Sequence, residues 1–403
     1  SLKRRETSLD VMGCKQSRII EYSELTSEDT KMIPQVFRSV DLKSPSPGVA
    51  YWLHTCFVQE GTMPLSVNGT VVDVEYASVT KYGYYPVEPL RTTQDAFSLL
   101  STTARKDNRD TKGIYLGVYD GHGEYGGDCS GMCKDFMEKA VLAHSSNTED
   151  TPTVKLEEEL EKCNTEMHER KYAGGLDDTN SGTTAVCVSL QDTTITCVNV
   201  GDSRCMAGYC ISDKVFALPL SSDQTPFRAD ERSRVEACGG DVCTLAEKMP
   251  SNPHLRKREK KDYNPDDPPR IYLKNCGYPG AAFSRSVGDA IAESIGVIAK
   301  GEVITKPIVT GLNSILCGSD GVWNFCTPDD LACSVKYSTD LAKTAVVSVL
   351  NIFLRWIKTY GSSDDITLIV LRFPPLSPSL EDRNGDWDVA LFKQPSSLLF
   401  SQK

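Results

Sequence analysis

The amino-acid sequence predicts an α+β fold, in which strands and helices follow one another in mixed order. Short runs rich in β-branched residues are mixed with longer amphipathic segments, and the strict strand–helix alternation that indicates a parallel sheet is missing. With 403 residues, 39% of them hydrophobic, the chain is long enough to bury a large core. A folded protein is therefore expected, and an intrinsically disordered one is excluded.

The individual elements are predicted from hydrophobic periodicity. Strands are expected at 114–119, 183–190, 194–200, 314–317 and 366–373. Helices are expected at 129–145, 153–171, 226–238, 328–337 and 340–359. The last helix is the clearest, because its apolar residues recur at helical spacing from Ala342 to Ile357.

Polarity divides the chain into three regions. Residues 1–48 are polar and end in a Ser-Pro-Ser-Pro-Gly run, which predicts an extension before the folded body. A single folded domain is expected at 49–373, with a polar insertion at about 241–270. A tail containing Pro and Ser follows at 374–403.

The charge of the chain narrows the function classes. There are 44 basic and 55 acidic residues, a net charge of −11 and an isoelectric point near 5.1, which argues against a general nucleic-acid binder. No run approaches the roughly 20 apolar residues of a membrane helix, and no apolar signal segment opens the sequence. A cytoplasmic protein is expected.

The 15 cysteines are unusual in number but not in arrangement. They extend from Cys14 to Cys333 without a CxxC pair, which excludes the usual zinc-site spacing. Many lie in apolar runs, where a free Cys behaves as a small hydrophobe. Reduced structural thiols are therefore expected, with redox regulation through the close pairs 129/133 and 205/210 as the alternative.

A lipidation pattern lies in the N-terminal extension. The run from Met12 to Ser17 fits N-myristoylation of Gly13 if Met12 is the initiator, and Cys14 is then a candidate for palmitoylation. Two acyl chains are what stable membrane anchoring needs. Gly13 is internal in the sequence as written, so a chance match is the alternative.

Aspartates recur near the ends of the predicted strands, most of them beside Gly or another small residue. A single Asp-Gly is usually a turn, but several at the ends of core strands indicate a common pocket. Their carboxylates form a set of hard oxygen ligands that suits Mg²⁺ or Mn²⁺. The aspartates are Asp95, Asp120, Asp202, Asp320 and Asp364.

Two neighbours of Asp120 add to this chemistry. Two divalent cations about 4 Å apart can activate a bridging water and neutralise a phosphoryl group. Gly121 lets a backbone carbonyl approach an ion without a side chain in the way. His122 is a candidate general acid for the leaving alkoxide, with a purely structural histidine as the alternative.

A series of motifs resembles the metal-dependent protein phosphatases of type 2C, which hydrolyse phosphoserine and phosphothreonine. Any one motif is weak, but the ordered set is specific and covers about residues 75–373. The runs Gly83-Tyr84-Tyr85-Pro86 and Tyr278-Pro279-Gly280 are similar to the plant and protist branch. The motifs are Gln94-Asp95, Asp120-Gly121-His122-Gly123, and the runs at 181–185, 199–204, 282–289, 320–323 and 364–367.

The resemblance implies a four-layer α-β-β-α sandwich, with two antiparallel sheets flanked by helices. It implies phosphoprotein substrates, a metal-activated water, no phosphoenzyme, and a monomer. The residues that match the family's dinuclear Mg²⁺ or Mn²⁺ centre are Asp120, the Gly121 carbonyl, Asp320 and Asp364, with Asp95 nearby and Asp202 at a third, weaker site. Arg204, Arg285 and Asp289 lie in family motifs and are expected to be mainly structural.

Three departures from the family pattern bear on function. Leu90 replaces the usual phosphate-binding Arg, which leaves two alternatives: Arg91 binds the phosphate, or the metals chiefly hold it. Asn324 and Gln94 replace a frequent Asp and Glu. No principal ligand is lost, so an active protein-serine/threonine phosphatase is predicted. The alternatives are a catalytically silent phosphopeptide-binding scaffold of the same fold and a hydrolase of small phosphate esters.

The insertion at 241–270 falls where the family has a flap beside the active site. Its run at 254–261 is strongly basic in an otherwise acidic protein. This predicts docking of acidic phosphosubstrates or nuclear import, with a solvated loop as the alternative.

Overall fold

A computed structural model describes residues 56–88, 91–106, 109–145, 155–172, 174–248 and 267–376. The predicted extension at 1–48, with Gly13 and Cys14, lies outside these residues. So do Leu90, the basic run at 254–261 and nearly all of the tail at 374–403. What was inferred for those segments from sequence stays a prediction.

The described residues form strands and helices in mixed order along the chain. The strands are β1 (Cys56–Val67), β2 (Thr70–Lys81), β3 (Asp95–Lys106), β4 (Arg109–His122), β5 (Gly182–Thr183), β6 (Ala185–Gln191), β7 (Thr194–Val200), β8 (Arg204–Ile211), β9 (Lys214–Pro219), β10 (Asp241–Cys243), β11 (Arg270–Tyr272), β12 (Pro279–Ala281), β13 (Val287–Gly288), β14 (Glu302–Pro307), β15 (Leu312–Gly318) and β16 (Ile366–Arg372). The helices are α1 (Gly126–Ser145), α2 (Leu156–Tyr172), α3 (Ala229–Ala237), α4 (Leu245–Lys248), α5 (Ala290–Glu293), α6 (Asp320–Trp323), α7 (Pro328–Lys336) and α8 (Leu341–Tyr360).

Two large antiparallel sheets lie at the centre. The first sheet has six strands in the order β1-β2-β16-β15-β8-β9. The second has seven strands, in the order β13-β5-β4-β6-β7-β14 with β3 paired to β4. A separate three-stranded sheet has its strands in sequence order, β10-β11-β12.

The hydrophobic residues divide the molecule into layers. The inner faces of the two large sheets share a core that includes Leu116 and Ile315. The outer face of the first sheet packs against α7 and α8 through residues such as Leu350. The outer face of the second packs against α1 and α2 through residues such as Met137 and Leu160. This helix–sheet–sheet–helix arrangement confirms the predicted four-layer sandwich.

Helix α8 begins and ends within one residue of its prediction because both termini carry strong signals. The Asp340 side chain accepts a hydrogen bond from the backbone N–H of Lys343 at the N-terminus. At the C-terminus Gly361 has a φ of 72°, a left-handed conformation that glycine adopts readily. The apolar face between them covers the first sheet.

The prediction omits the β1–β2 hairpin, although the sequence contains a signal for it. Asn68 and Gly69 join the strands with φ values of 53° and 76°, as a two-residue hairpin turn of type I′ requires. The hairpin places β2 beside β16, in the middle of the first sheet. None of the described helices is long and apolar enough to cross a membrane.

Both ends of the insertion at 241–270 belong to defined elements. Strands β10 and β11 pair with each other, and α4 lies between β10 and the undescribed part of the insertion. The Asp267 carboxylate accepts hydrogen bonds from the backbone N–H groups of Leu245 and Ala246, at 2.9 and 3.1 Å. These bonds hold the two ends of the insertion together.

The cysteines within the described residues are all free. Cys129, Cys133 and Cys205 are among those buried in the core, and burial raises the pKa of Cys129. Buried neutral thiols of this kind are poor nucleophiles. The arrangement agrees with the predicted structural thiols.

Candidate active site

The predicted site aspartates come together at one edge of the sandwich, and they come from both large sheets. Asp95 begins β3 and lies directly opposite Asp120 on β4, in the second sheet. Asp320 begins α6 just after β15, and Asp364 lies two residues before β16; these two strands belong to the first sheet. Asp202 follows β7, in the turn before β8. We call these five residues the aspartate cluster.

Burial and mutual repulsion disfavour the charged state of this cluster. Burial raises the pKa of Asp120 well above its usual range, and the charges of Asp95, Asp320, Asp364 and Asp202 raise it further. Burial and then the charge of Asp364 also raise the pKa of Asp320. The pKa of Asp202 rises to about 6, because of burial and then Asp223. A divalent cation would remove this repulsion.

The oxygen atoms of the cluster are compatible with a cation such as Mg²⁺ or Mn²⁺. Asp95 Oδ1 is buried and has no hydrogen-bond partner among the described residues, while Asp95 Oδ2 accepts a bond from the Ser319 hydroxyl at 3.0 Å. Buried polar atoms are normally paired, so this oxygen calls for a partner. Carboxylate oxygens are the ligands that hard divalent cations prefer. The chemistry of these oxygens therefore fits the predicted metal, while the three carboxylates of the described residues whose oxygens all lie within 4.8 Å of one another are those of Asp230, Glu231 and Glu302.

Gly121 lies where the end of β4 packs tightly against neighbouring backbone. A Cβ at this position would come within 2.2 Å of the Gly126 carbonyl oxygen and 2.6 Å of the Gln94 carbonyl oxygen. Only glycine permits this approach. The peptide after Asp120 consequently stays beside the cluster, where the resemblance implies that its carbonyl is used.

His122 ends β4 and forms a hydrogen-bonded pair with Asp289. His122 Nε2 and Asp289 Oδ2 are 2.5 Å apart, and the two side chains are 24% and 6% exposed. Burial alone would lower the pKa of His122, but the charge of Asp289 and this hydrogen bond outweigh burial and raise it. The aromatic ring of Phe283 lies against the imidazole, with 4.2 Å between ring centroids. The pair therefore favours a protonated imidazole.

Arg91 lies beside the cluster on the segment that leads into β3. Its guanidinium donates a hydrogen bond to Gln94 Oε1, and its Cζ lies 4.7 Å from the centre of the Tyr85 ring. Gln94 Nε2 in turn donates to the Gly123 carbonyl at 2.7 Å. Arg91 is thus held at the border of the site.

The structure adds residues that the sequence analysis did not place at the site. Asp365 accepts hydrogen bonds from the backbone N–H groups of Gly83 (2.5 Å) and Gln94 (2.9 Å). The Tyr85 hydroxyl donates to Asp364 Oδ1 at 2.8 Å. Tyr85 stands in a motif quoted from the sequence and Asp365 directly follows Asp364, but neither pattern indicates these contacts. Asp289, expected to be mainly structural, contacts His122.

The other two family-motif arginines pair with carboxylates outside the aspartate cluster. Arg204 makes a two-point contact with Asp223, at 2.9 and 2.7 Å. Arg285 Nη2 lies 2.7 Å from Glu231 Oε1, and Glu231 is 1% exposed. These contacts agree with the structural roles expected for both arginines.

Together, the fold and the aspartate cluster define the class: an α-β-β-α sandwich enzyme suited to hard divalent cations. The family model for protein phosphatase 2C matches residues 90–366, and the chain therefore belongs to this family of protein-serine/threonine phosphatases. The family and the enzyme class predicted from sequence are confirmed. Membership implies dependence on Mg²⁺ or Mn²⁺ and phosphoprotein substrates.

Known relatives support the same assignment. The chain is 32% identical over 306 residues to "Probable protein phosphatase 2C 35" of Arabidopsis thaliana, covering 76% of this chain and 85% of the relative. It is 29% identical over 263 residues to "Probable protein phosphatase 2C 61" of the same plant, covering 64% and 76%. The crystal structure of serine-threonine phosphatase 2C from Toxoplasma gondii shares the fold, with a TM-score of 0.58, 16% identity and coverage of 79% and 99%.

Proposed function

We propose that the protein hydrolyses phosphoserine and phosphothreonine in proteins at a dinuclear Mg²⁺ or Mn²⁺ centre. The observation that carries the proposal is the convergence of aspartates from both sheets, none of which forms a salt bridge with Lys or Arg among the described residues. The proposed ligands are Asp120, the Gly121 carbonyl, Asp320 and Asp364, with Asp95 beside them.

The proposed third site is weaker and includes Asp202. Asp202 has a raised pKa, so it binds protons more readily than an ordinary carboxylate. Asn324, which follows α6, offers an amide oxygen without a charge where the family often has Asp. Fewer charged ligands give a lower affinity for a divalent cation.

The chain's own residues bind and orient the substrate. When bound, the two cations supply a water of lowered pKa and offset the charge of the phosphoryl group. The Arg91 guanidinium, which contacts Gln94 and the Tyr85 ring, is the proposed phosphate ligand, because its planar set of donors suits phosphate oxygens. Direct attack by water requires no nucleophilic side chain, so the proposed reaction has no phosphoenzyme.

His122 is proposed to protonate the leaving oxygen of the serine or threonine. Its raised pKa favours the protonated imidazole, and Asp289 fixes the ring in place. Expulsion of an alkoxide needs a proton, which this imidazolium can donate.

The test is turnover of a phosphopeptide during a Mn²⁺ titration, with and without chelator. Asp120→Ala should lower kcat by at least about 10³-fold, because metal catalysis contributes several kcal/mol. Asp135→Ala is the matched control, since that side chain is 78% exposed on α1, and it should stay within about twofold of wild type.

Three outcomes would contradict the proposal. Retention of most metal-dependent activity by Asp120→Ala would exclude this cluster as the metal centre. Phosphopeptide binding without turnover at saturating Mn²⁺ would indicate a silent scaffold. A preference for small phosphate esters over phosphopeptides would indicate a different substrate class.

A further inference from the structure

Gly83, Tyr84 and Gln94 are hydrogen-bonded to the turn that carries Asp364. Tyr84 and Ser363 exchange backbone hydrogen bonds at 3.0 and 2.9 Å. The two oxygens of Asp365 accept the N–H groups of Gly83 and Gln94. The position of the intervening Tyr85 is therefore set by backbone contacts on both sides.

A glycine permits the close packing of Tyr85 on this turn. A Cβ at Gly83 would lie 2.7 Å from Tyr85 Cε2 and 2.9 Å from the Ser363 carbonyl oxygen. Any larger residue at Gly83 would displace either the Tyr85 ring or the turn. The ring consequently lies directly beside Asp364.

The Tyr85 hydroxyl contacts one oxygen of Asp364. Asp364 Oδ1 accepts bonds from this hydroxyl at 2.8 Å and from the Asp365 backbone N–H at 2.9 Å. Asp364 Oδ2 accepts no hydrogen bond from the described residues. The two bonds therefore select which oxygen faces a cation, as hydrogen-bond partners of metal ligands commonly do.

The ring of the same tyrosine contacts Arg91. The guanidinium lies over the ring face at 4.7 Å, a cation–π contact that stabilises its position. The backbone N–H of Arg91 also donates to the Glu88 carbonyl at 3.1 Å, and the Glu88 N–H donates to the Tyr85 carbonyl at 3.0 Å. One side chain thus contacts both the candidate metal ligand and the candidate phosphate ligand.

We propose that Tyr85 is a positioning residue with two separable roles: its hydroxyl orients Asp364 toward the metal, and its ring holds Arg91 toward the phosphate. The inference rests on the proposed function of the aspartate cluster. It assigns metal affinity and phosphate affinity to different atoms of one side chain, which makes the two roles testable independently.

The experiment compares Tyr85→Phe, which removes only the hydroxyl, with Tyr85→Leu, which also removes the aromatic face. Calorimetric titration with Mn²⁺ alone should give about 10-fold weaker binding for both variants. Competitive inhibition by inorganic phosphate at saturating Mn²⁺ should be unchanged in Tyr85→Phe and weakened about threefold to tenfold in Tyr85→Leu. KM for a phosphopeptide should likewise be unchanged in Tyr85→Phe and raised in Tyr85→Leu.

Tyr337→Phe is the control for the change of residue type, because Tyr337 is 65% exposed at the end of α7. It should match wild type in both titrations. Wild-type Mn²⁺ affinity in Tyr85→Phe would overturn the hydroxyl role, and equal phosphate inhibition of Tyr85→Phe and Tyr85→Leu would overturn the ring role. If wild-type protein itself binds no Mn²⁺ and has no chelator-sensitive turnover, the proposed function fails instead.

Discussion

Two groups of acidic residues in this protein have opposite electrostatics. The aspartate cluster lies at one edge of the sandwich, at the ends of strands from both large sheets, and forms no salt bridge with Lys or Arg among the described residues. The second group, which we call the arginine-paired cluster, consists of Glu231 and Glu302 with Arg228, Arg234 and Arg285. Each of its carboxylates lies 2.7 Å from an arginine nitrogen.

The pKa values show what the arginines change. Burial alone would raise the pKa of Glu231, but its bonds to Arg234 and Arg285 outweigh burial and lower it to about 2. Burial and like charges instead raise the pKa of Asp120. With Asp230, the two glutamates also lie close enough together to resemble a metal site. Proximity of carboxylates is thus a poor guide to a metal site, and the presence of cationic partners distinguishes the arginine-paired cluster from the proposed metal centre.

The largest expected effect comes from neutralising a member of the aspartate cluster. Asp320→Asn should lower kcat about 10³-fold at saturating Mn²⁺, because a charged metal ligand is lost. The same change should raise the urea midpoint of the metal-free protein, since it removes a source of repulsion. Chemical denaturation with chelator, paired with phosphopeptide turnover, measures both. If metal-free Asp320→Asn were less stable than metal-free wild type, the proposed electrostatic difference between the two clusters would be contradicted.

Removing a carboxylate from the arginine-paired cluster should instead lower stability and leave metal binding nearly unchanged. Glu231→Ala leaves Arg234 and Arg285 without their main partner and should lower the free energy of unfolding by about 3 kcal/mol. Mn²⁺ affinity should change by less than about twofold. Glu166→Ala is the control, because its pair with Arg170 is exposed and should contribute less than about 1 kcal/mol. Equal losses from both variants would show that the buried pair has no special role.

A smaller effect is expected at Asp289, the carboxylate that pairs with His122. Asp289 raises the pKa of His122, so Asp289→Asn should lower that pKa. The protonated His122 imidazole is then lost at a lower pH, so the alkaline limb of the profile of kcat against pH should move to lower pH. At pH 7.5 kcat should fall about 10-fold, within the range of general acid catalysis. An alkaline limb that stays in place would exclude His122 as the titrating acid.

The sequence predicts the parts of the fold that depend on local patterns. Helix α8 has a capping aspartate, a terminal glycine and a regular apolar face, so its bounds follow from about 20 contiguous residues. Strand β7 is predicted at its observed bounds for a similar reason. The pairing of β2 with β16 is different, because it joins segments from opposite ends of the domain. No local pattern contains that information.

The candidate site likewise has features that local sequence patterns predict and features that depend on contacts between distant residues. The aspartates can be recognised in the sequence because most lie beside Gly or another small residue near the end of an apolar strand. The ordered motifs then assign them to one site. The partners of His122 and Asp364 are not visible, because the contacts depend on the folded arrangement. His122 and Asp289 are 167 positions apart, and Tyr85 and Asp364 are 279 apart. Sequence thus indicates the residues proposed to do the chemistry better than the residues that contact them.

The position of the aspartate cluster also ties distant parts of the sandwich together. The hydrophobic effect that holds the core is non-directional, whereas the proposed ligands, which come from both sheets, must be held in a precise arrangement. With the proposed ligands, metal affinity therefore reports the alignment of the two sheets. A core substitution at Leu116 or Ile315 that shifts one sheet should weaken metal binding without contacting any of the proposed ligands.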